Sequence, residues 1–190
     1  MDPFRRLTQA QVRKALAVML PVTGAACLVI ALTNQPLQNG TARLGVISLQ
    51  LACTPARAAE IIGAWGESER TLAAFNLGFD YLYLLAYALL LALACAYLAR
   101  FHLAKGSERF AMLGFGLAWA MPVAATLDAI ENYALLQILL GDPAPGWPAL
   151  ATGCAIPKFG IVAAALAYIA SASIGPLRIT LASIGKRLNG

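Results

Sequence analysis

The sequence predicts an all-α integral membrane protein, a four-helix up-and-down bundle with both termini inside and an outer amphipathic helix in the first loop. Three observations lead to this fold class. Of the 190 residues, 60% are apolar and only 12% are charged, with a mean hydropathy of +0.71, whereas a soluble domain has about 45–50% apolar and about 25% charged residues. Four apolar segments are long enough to cross a bilayer, and basic residues gather at their ends.

The four spans belong to one predicted transmembrane domain that covers residues 1–190, with an outer loop over residues 34–70. At a rise of about 1.5 Å per residue, each span can cross a hydrocarbon core of about 30 Å. We expect the first span to be a retained helix and not a cleaved signal, because residues 28–32 continue its apolar run beyond Cys27, where a processed chain would become polar. The predicted spans are residues 15–33, 71–99, 110–140 and 149–174.

The basic residues predict which way the spans run. Ten of them lie in the N-terminal tail, the second loop and the C-terminal tail, against three in the first loop and none in the third. The ten are Arg5, Arg6, Arg13, Lys14, Arg100, Lys105, Arg109, Arg178, Lys186 and Arg187. By the positive-inside rule, both termini are cytoplasmic in a multi-pass protein of the bacterial inner membrane.

A net charge of +5 would also suit a nucleic-acid-binding protein. Such a protein carries a basic face with interleaved aromatic residues, and this sequence has none. Nucleic acid is therefore not an expected partner.

The first loop carries two local patterns. Residues 46–51 alternate in the manner of a short extended stretch or an interfacial segment. Thr54 and Pro55 then form an N-cap and a first helical residue, which predicts a helix from Ala56 to Trp65 with one apolar side. We expect this helix to cover the bundle on the outer membrane surface, with Trp65 at headgroup depth.

Four ionisable side chains lie within the later spans and define a polar layer. Counted inward from the outer ends of the spans, Asp80, Glu131 and Lys158 lie about 14 Å deep and Asp128 about 18 Å deep. An unpaired charge that faces lipid costs at least about 2.5–3.5 kcal/mol. We therefore expect these side chains to point inward, toward one another.

Helical spacing places further polar groups in the same layer. Asp128, Glu131 and Asn132 stand at positions i, i+3 and i+4 and share one face of the third span. A second polar stripe runs down one face of the second span at steps of four, three and four residues and consists of Asn76, Asp80, Tyr83 and Tyr87. The bundle is predicted to have a polar interior.

Three acids and one lysine leave a formal charge of −2 in this interior if all four are ionised. Because burial and mutual repulsion favour the neutral carboxyl, we expect either Glu131 or Asp80 to carry a proton at pH 7. Asp128 is expected to pair with Lys158. A structural alternative is a salt-bridged knot of Asp128, Asn132 and Lys158 that only holds the helices together.

No cofactor is expected. His102 is the single histidine and falls in the short second loop, which argues against haem or a histidine metal centre. The four cysteines form no CxxC pair, and the sequence does not decide whether Cys53 and Cys154 form a disulfide. The sequence also lacks a phosphate-binding loop, a nucleophile elbow and a dinucleotide fingerprint.

Three short motifs resemble those of a group of uncharacterised bacterial four-helix membrane proteins. They are AWG at residues 64–66, FDYLY at residues 79–83 and LDAIEN at residues 127–132. The resemblance extends over roughly residues 45–165 and implies the same four-helix fold, but no activity. In architecture the chain is also similar to the sterol isomerase and sigma-2 receptor type of membrane protein, which place carboxylates within the membrane.

The leading expectation is an acidic pocket that binds a lipophilic or amphipathic small molecule from the surrounding membrane lipid. If the protein is an enzyme, Glu131 or Asp80 acts as a general acid and Asp128 returns the proton, which suits an isomerase or a cyclase. The residues expected to bind or orient the molecule are Asn132, Lys158, Tyr83, Tyr87 and Asn76. The sequence identifies no particular ligand.

Two alternatives from other classes stay open. The same acids could relay protons or cations in a transporter or channel. That protein would be a homo-oligomer, because four helices rarely suffice for alternating access in one protomer. The chain could also be an accessory or assembly subunit of a membrane complex, with its first loop against a partner.

Overall fold

Helices form the regular structure of this chain, for which the computed structural model describes residues 1–142 and 144–174. In chain order the helices are α1 (Gln9–Asn34), α2 (Val46–Gln50), α3 (Pro55–Gly63), α4 (Glu67–Ala104), α5 (Glu108–Leu139) and α6 (Trp147–Ala172), with a 3-10 turn at Gln35–Leu37 after α1. No strand occurs in the described ranges. The four long helices α1, α4, α5 and α6 are apolar enough to cross a membrane, as in a multi-pass membrane protein.

Each predicted span corresponds to one long helix, although all four helices start two to six residues earlier than predicted. At the start of α1, the side chain of Thr8 accepts a hydrogen bond from the Gln11 amide, and the Gln11 side chain accepts one from the Thr8 amide. This reciprocal cap places Arg13 and Lys14 inside the helix instead of ahead of it. The basic residues predicted in a cytoplasmic C-terminal tail, Arg178, Lys186 and Arg187, lie outside the described residues.

The first loop folds as two short helices, one of which was predicted. The hydroxyl of Thr54 accepts a hydrogen bond of 3.3 Å from the Arg57 amide, Pro55 opens α3, and the helix ends at Gly63. This agrees with the helix expected after Thr54. A proline at the first position suits a helix start, because its missing N–H would have no partner there.

Of the two interpretations of residues 46–51, the extended stretch is wrong, because most of this segment forms α2. Gly45 has a φ of +61°, a conformation that glycine adopts without steric cost. The Asn34 side chain then accepts a hydrogen bond of 2.8 Å from the Val46 amide, at the start of α2. Val46 and Leu49 both turn into the core.

Trp65 is a core residue. Its side chain is 2% exposed, and its indole N–H donates a hydrogen bond of 2.9 Å to the carbonyl of Leu37. The ring therefore packs inside the protein and is not a surface anchor, contrary to our expectation. The reason is that the loop folds back, so that the residues before α4 meet the turn after α1 and give the indole both an apolar site and an acceptor.

Two apolar clusters form the core. One packs the C-terminal parts of α4 and α6 against the N-terminal part of α5 and includes Leu91, Cys95, Phe115, Met121 and Tyr168. The other packs the first loop against the opposite parts of the same helices and includes Leu37, Leu49, Ile61, Trp65 and Leu135. On each of the three helices, the ionisable residues of the predicted polar layer fall between the two clusters.

The helices pack unequally. Helix α5 lies against α4 and α6, whereas α1 packs chiefly against α4. Gly114 on α5 allows close contact with α6, since a Cβ at this position would overlap the phenol ring of Tyr168. Helix α1 makes little contact with α6, and a partly open space lined by both helices forms a gap between them. Large apolar side chains such as Leu85, Met112 and Leu166 are exposed on the helix surfaces.

Candidate ligand-binding site

A buried ion network connects α5 and α6. The ammonium nitrogen of Lys158 lies 2.8 Å from Oδ1 of Asp128 and 2.7 Å from Oε2 of Glu131. The hydroxyl of Tyr87 on α4 donates a hydrogen bond of 2.8 Å to Oδ2 of Asp128. The predicted pair between Asp128 and Lys158 is therefore present, and Glu131 shares the same lysine. The exposed fractions of Asp128, Glu131 and Lys158 are only 3%, 0% and 4%.

A second polar contact connects α4 and α5. The side-chain amide of Asn132 donates a hydrogen bond of 2.7 Å to Oδ2 of Asp80. No described residue hydrogen-bonds the other carboxylate oxygen of Asp80, and this side chain is partly exposed. Asn132 itself is fully buried. The amide thus fixes the orientation of the Asp80 carboxylate through one of its two oxygens.

Asp80 and the ion network meet at a cavity of about 520 Å³ between α1, α2, α4 and α6. The polar part of its wall includes Asp80, Asp128, Lys158, Tyr83 and Tyr87. The apolar part includes Leu90 and Leu91 of α4 and Val162 and Leu166 of α6. The cavity is partly open to its surroundings. It therefore combines the size, the apolar wall and the few convergent polar groups that are typical of a small-molecule site.

Six of the eight predicted site residues line this cavity and two do not. Those in the wall are Asp80, Asp128, Lys158, Tyr83, Tyr87 and Asn76. Glu131 and Asn132 lie behind it, where they contact Lys158 and Asp80. Glu131, one of the two predicted general acids, is thus separated from the cavity by the lysine.

Asn76 holds two helices together. Its side-chain amide donates hydrogen bonds of 3.0 Å to the carbonyl of Ile30 and 2.6 Å to the hydroxyl of Thr33, both on α1. With its amide hydrogens used in this way, Asn76 attaches α1 to α4 at one end of the cavity. It therefore contributes to the site by holding the α1 residues of the cavity wall in position.

Helices α1 and α2 also contribute to the cavity, which was not predicted from the sequence. Helix α1 supplies Thr23, Cys27 and Asn34, and α2 supplies Gln50. The three α1 residues are separated by steps of four and seven, which place them on one helix face. This spacing was a readable signal of a second polar stripe. The position of Gln50 had no such signal, because it depends on how the loop folds.

The chemistry available at the site comes from carboxylates, an ammonium group, phenols and amides. Within the described residues, no group of three or more His, Cys, Asp or Glu side chains could hold a metal ion. All four cysteines, Cys27, Cys53, Cys95 and Cys154, are free, so the disulfide left open between Cys53 and Cys154 is not formed. Comparisons with protein-family models, with curated proteins and with solved structures find no match to this chain.

Proposed function

We propose that this protein binds a lipophilic or amphipathic small molecule within the membrane. The observation that carries the proposal is the cavity of about 520 Å³, whose wall joins apolar side chains to Asp80, Asp128 and Lys158. Known small-molecule sites have volumes of about 300–1,000 Å³ and similarly few polar groups. A purely structural polar knot would not require an open cavity beside it.

The gap between α1 and α6 supports entry of the molecule from the lipid. Both helices line the cavity and make little contact with each other, while α2 lines the end near Asn34. Cys27 and Ala31 on α1 and Phe159 and Leu166 on α6 are exposed and also line the cavity. A molecule dissolved in the bilayer would pass between these side chains without crossing water.

If the bound molecule reacts, Asp80 is the group best placed to exchange a proton with it. Its carboxylate lines the cavity and has one oxygen that no described residue contacts through a hydrogen bond. Asp128 also lines the cavity, but both of its oxygens are occupied, by Tyr87 and by Lys158. In an isomerase or cyclase reaction, the Asp80 carboxylate would therefore take up a proton from the molecule and return it at another position, and Asp128 would stabilise positive charge that develops on the molecule.

A pocket is favoured over a proton or cation pathway by the apolar end of the cavity. Beyond Tyr87, the described wall residues of α4 are Leu90 and Leu91, and those of α6 are Val162 and Leu166. A relay would need polar groups or water in this direction. The polar layer ends instead against the apolar core of α4, α5 and α6.

We further propose that the helices run up and down through the inner membrane with both termini in the cytoplasm. The contacts at the helix ends support this arrangement. Arg100, near the end of α4, binds Asp2 with a distance of 2.6 Å, so the N-terminus lies beside the basic second loop. His102 lies 3.0 Å from the carbonyl of Ala172, which brings the end of α6 to the same side.

Sidedness is tested by cysteine labelling in intact bacterial cells. Ser68→Cys, in the first turn of α4, should react with a membrane-impermeant maleimide, whereas Ser107→Cys should react only after lysis. Cys27 and Cys53 are also exposed, so both variants are made in a chain in which these two cysteines are replaced by serine. Labelling of Ser107→Cys in intact cells would contradict the proposed orientation.

The binding function is tested by native mass spectrometry of protein extracted from its own membranes in a mild detergent. We expect the protein to retain a stoichiometric small molecule. Ala31→Trp should abolish this retention, because the indole would fill the mouth of the cavity. Ala25→Trp is the matched control, since Ala25 is exposed on the same helix outside the cavity wall. Equal retention by the two variants, or an empty wild-type protein, would contradict the proposal.

A further inference from the structure

We propose that the molecule in this cavity is an amphiphile with a protonated amine head. The head would lie at Asp80 and the hydrocarbon tail along Leu91 and Leu166. This inference rests on the proposed binding function and specifies the chemical class of the ligand. It follows from which acceptors are free, which charges are already paired, and where the cavity wall changes from polar to apolar.

Among the charged acceptors that the structure describes in the cavity wall, Asp80 has an oxygen without a partner. One of its oxygens accepts a hydrogen bond of 2.7 Å from Asn132, and the other has no partner among the described residues. Asn132 is neutral and therefore leaves the charge of the carboxylate uncompensated. A partly buried carboxylate of this kind is best satisfied by a cationic donor, since charge-assisted hydrogen bonds are about twice as strong as neutral ones.

Lys158 is the one cation among the described residues of the site, and it does not compensate Asp80. Lys158 lies within 2.8 Å of Asp128 and within 2.7 Å of Glu131, so two carboxylates already share one ammonium group. Adding Asp80 gives three acids against one lysine, a formal charge of −2 when all are ionised. An anionic head would meet this excess negative charge. A cationic head would reduce it.

Aromatic side chains adjoin the same position. The rings of Tyr83 and Tyr87 both line the cavity, with centroids 5.3 Å apart. Tyr83 follows Asp80 by three residues, so the two side chains are neighbours on one face of α4. Aromatic faces attract ammonium groups, and the attraction is stronger where water is excluded. Tyr83 would therefore add to the preference of Asp80 for an amine.

The wall of the cavity also sets the direction of the tail. The polar residues Asn34, Gln50 and Asp80 lie toward the end that α2 covers, whereas Leu91 and Leu166 line the other end. From Asp80 to Leu91 the helix rises about 16 Å. An amphiphile of this length would place its head in the polar part and its hydrocarbon chain in the apolar part. The opening between α1 and α6 would let it enter sideways.

The test measures binding of three dodecyl probes to the full chain in phosphatidylcholine nanodiscs. The probes are dodecylamine, dodecanol and dodecanoate, compared by native mass spectrometry at equal loading of the bilayer. We expect dodecylamine to bind at least about tenfold more tightly than the other two, the effect of one charge-assisted hydrogen bond. Nanodiscs without protein correct for partition of each probe into the lipid.

Two substitutions at Asp80 assign the preference to this carboxylate. Asp80→Asn should remove the preference for dodecylamine, so that this probe binds no more tightly than dodecanol, whereas Asp80→Glu should retain the preference. Glu108→Gln removes the same charge from an exposed position at the start of α5 and should change nothing. Because dodecanol binding also reports a folded cavity, loss of amine binding in Asp80→Asn cannot be confused with misfolding.

The outcomes separate the two proposals. If dodecanol or dodecanoate binds as tightly as dodecylamine, the inference is overturned while the pocket stands. If no probe binds, both proposals fail. If Asp80→Asn keeps the amine preference, the inference is also overturned. Adding phosphatidylethanolamine to the nanodisc distinguishes two sources of the amine. If the site takes a lipid headgroup, this lipid should compete with dodecylamine and weaken its binding. If the site takes a free amine, the binding of dodecylamine should stay the same.

Discussion

Lys158 on α6 and Asp128 on α5 form a buried ion pair of 2.8 Å at the boundary between the two apolar clusters of the core. The pair is not isolated, because Glu131 lies 2.7 Å from the same ammonium group and Tyr87 donates to Asp128. Lys158 thus neutralises part of the negative charge of Asp128 and Glu131, which both lie on α5. This shared position makes the lysine the group on which the polar layer depends.

Replacing the lysine should destabilise the fold strongly. In Lys158→Met, Asp128 and Glu131 would remain buried without a cation, a change that typically costs about 3–5 kcal/mol. We expect a lower midpoint of unfolding in a mild detergent titrated with sodium dodecyl sulfate. Far-UV circular dichroism is a suitable measurement, because most of the described residues are helical.

The matching control removes the acids together with the lysine. A chain with Lys158→Met, Asp128→Asn and Glu131→Gln has no buried charge in the network and should recover much of the lost stability. A triple variant as unstable as Lys158→Met alone would show that lost packing, and not unpaired charge, causes the defect.

Close packing of α5 against α6 gives a second prediction. Gly114→Ala would place a Cβ against the ring of Tyr168 and should destabilise the protein by about 1–3 kcal/mol, the usual cost of overpacking. Gly116→Ala on the same helix has open space around the new Cβ and should be neutral or slightly stabilising. If Gly114→Ala costs as much in a Tyr168→Leu chain as in the wild type, the contact with Tyr168 is not the cause.

Much of the polar layer could be predicted from the sequence. Helical spacing put Asp128, Glu131 and Asn132 on one face, and counting from the span ends put Lys158 near the same depth. The contacts among these groups follow both expectations. The prediction succeeds because a charged side chain that faces lipid is costly in free energy, so charged residues of apolar helices turn toward one another inside the bundle.

Other features depend on tertiary contacts that spacing does not encode. The sequence predicted that Asn132 would orient a ligand, but which acid it contacts depends on the rotation of α5 against α4. The burial of Trp65 likewise depends on the carbonyl of Leu37, 28 residues earlier in the chain. The first loop was harder to predict than the spans, because its helices are short and are held by packing more than by their own propensity.

The cover that α2 forms over the cavity should depend on Thr152 of α6. Its hydroxyl accepts a hydrogen bond of 3.0 Å from the Cys53 amide and donates one of 2.8 Å to the carbonyl of Gln50. Thr152→Val would leave both backbone groups without this partner, which costs about 1–3 kcal/mol. We expect faster hydrogen exchange over residues 50–53, measured by mass spectrometry.

Thr126→Val is the control for this prediction. The hydroxyl of Thr126 is exposed and donates to the carbonyl of Pro122 within its own helix, so its loss should leave exchange in the first loop unchanged. Equal exchange over residues 50–53 in both variants would mean that packing alone holds α2 in place.

The segment before α1 should be held in place by Arg100. Its guanidinium lies 2.6 Å from Asp2 and also donates to the carbonyls of Phe4 and Leu7, at 2.6 and 3.0 Å. Arg100→Gln would lose the charge and most of these donors, so residues 1–8 should exchange their amide hydrogens faster and be cleaved more readily by protease. Arg109→Gln removes an exposed charge from the start of α5 and should leave the segment protected. Because Phe4 also packs against the apolar core, we expect partial release, and a fully unchanged exchange rate in Arg100→Gln would show that this apolar contact suffices.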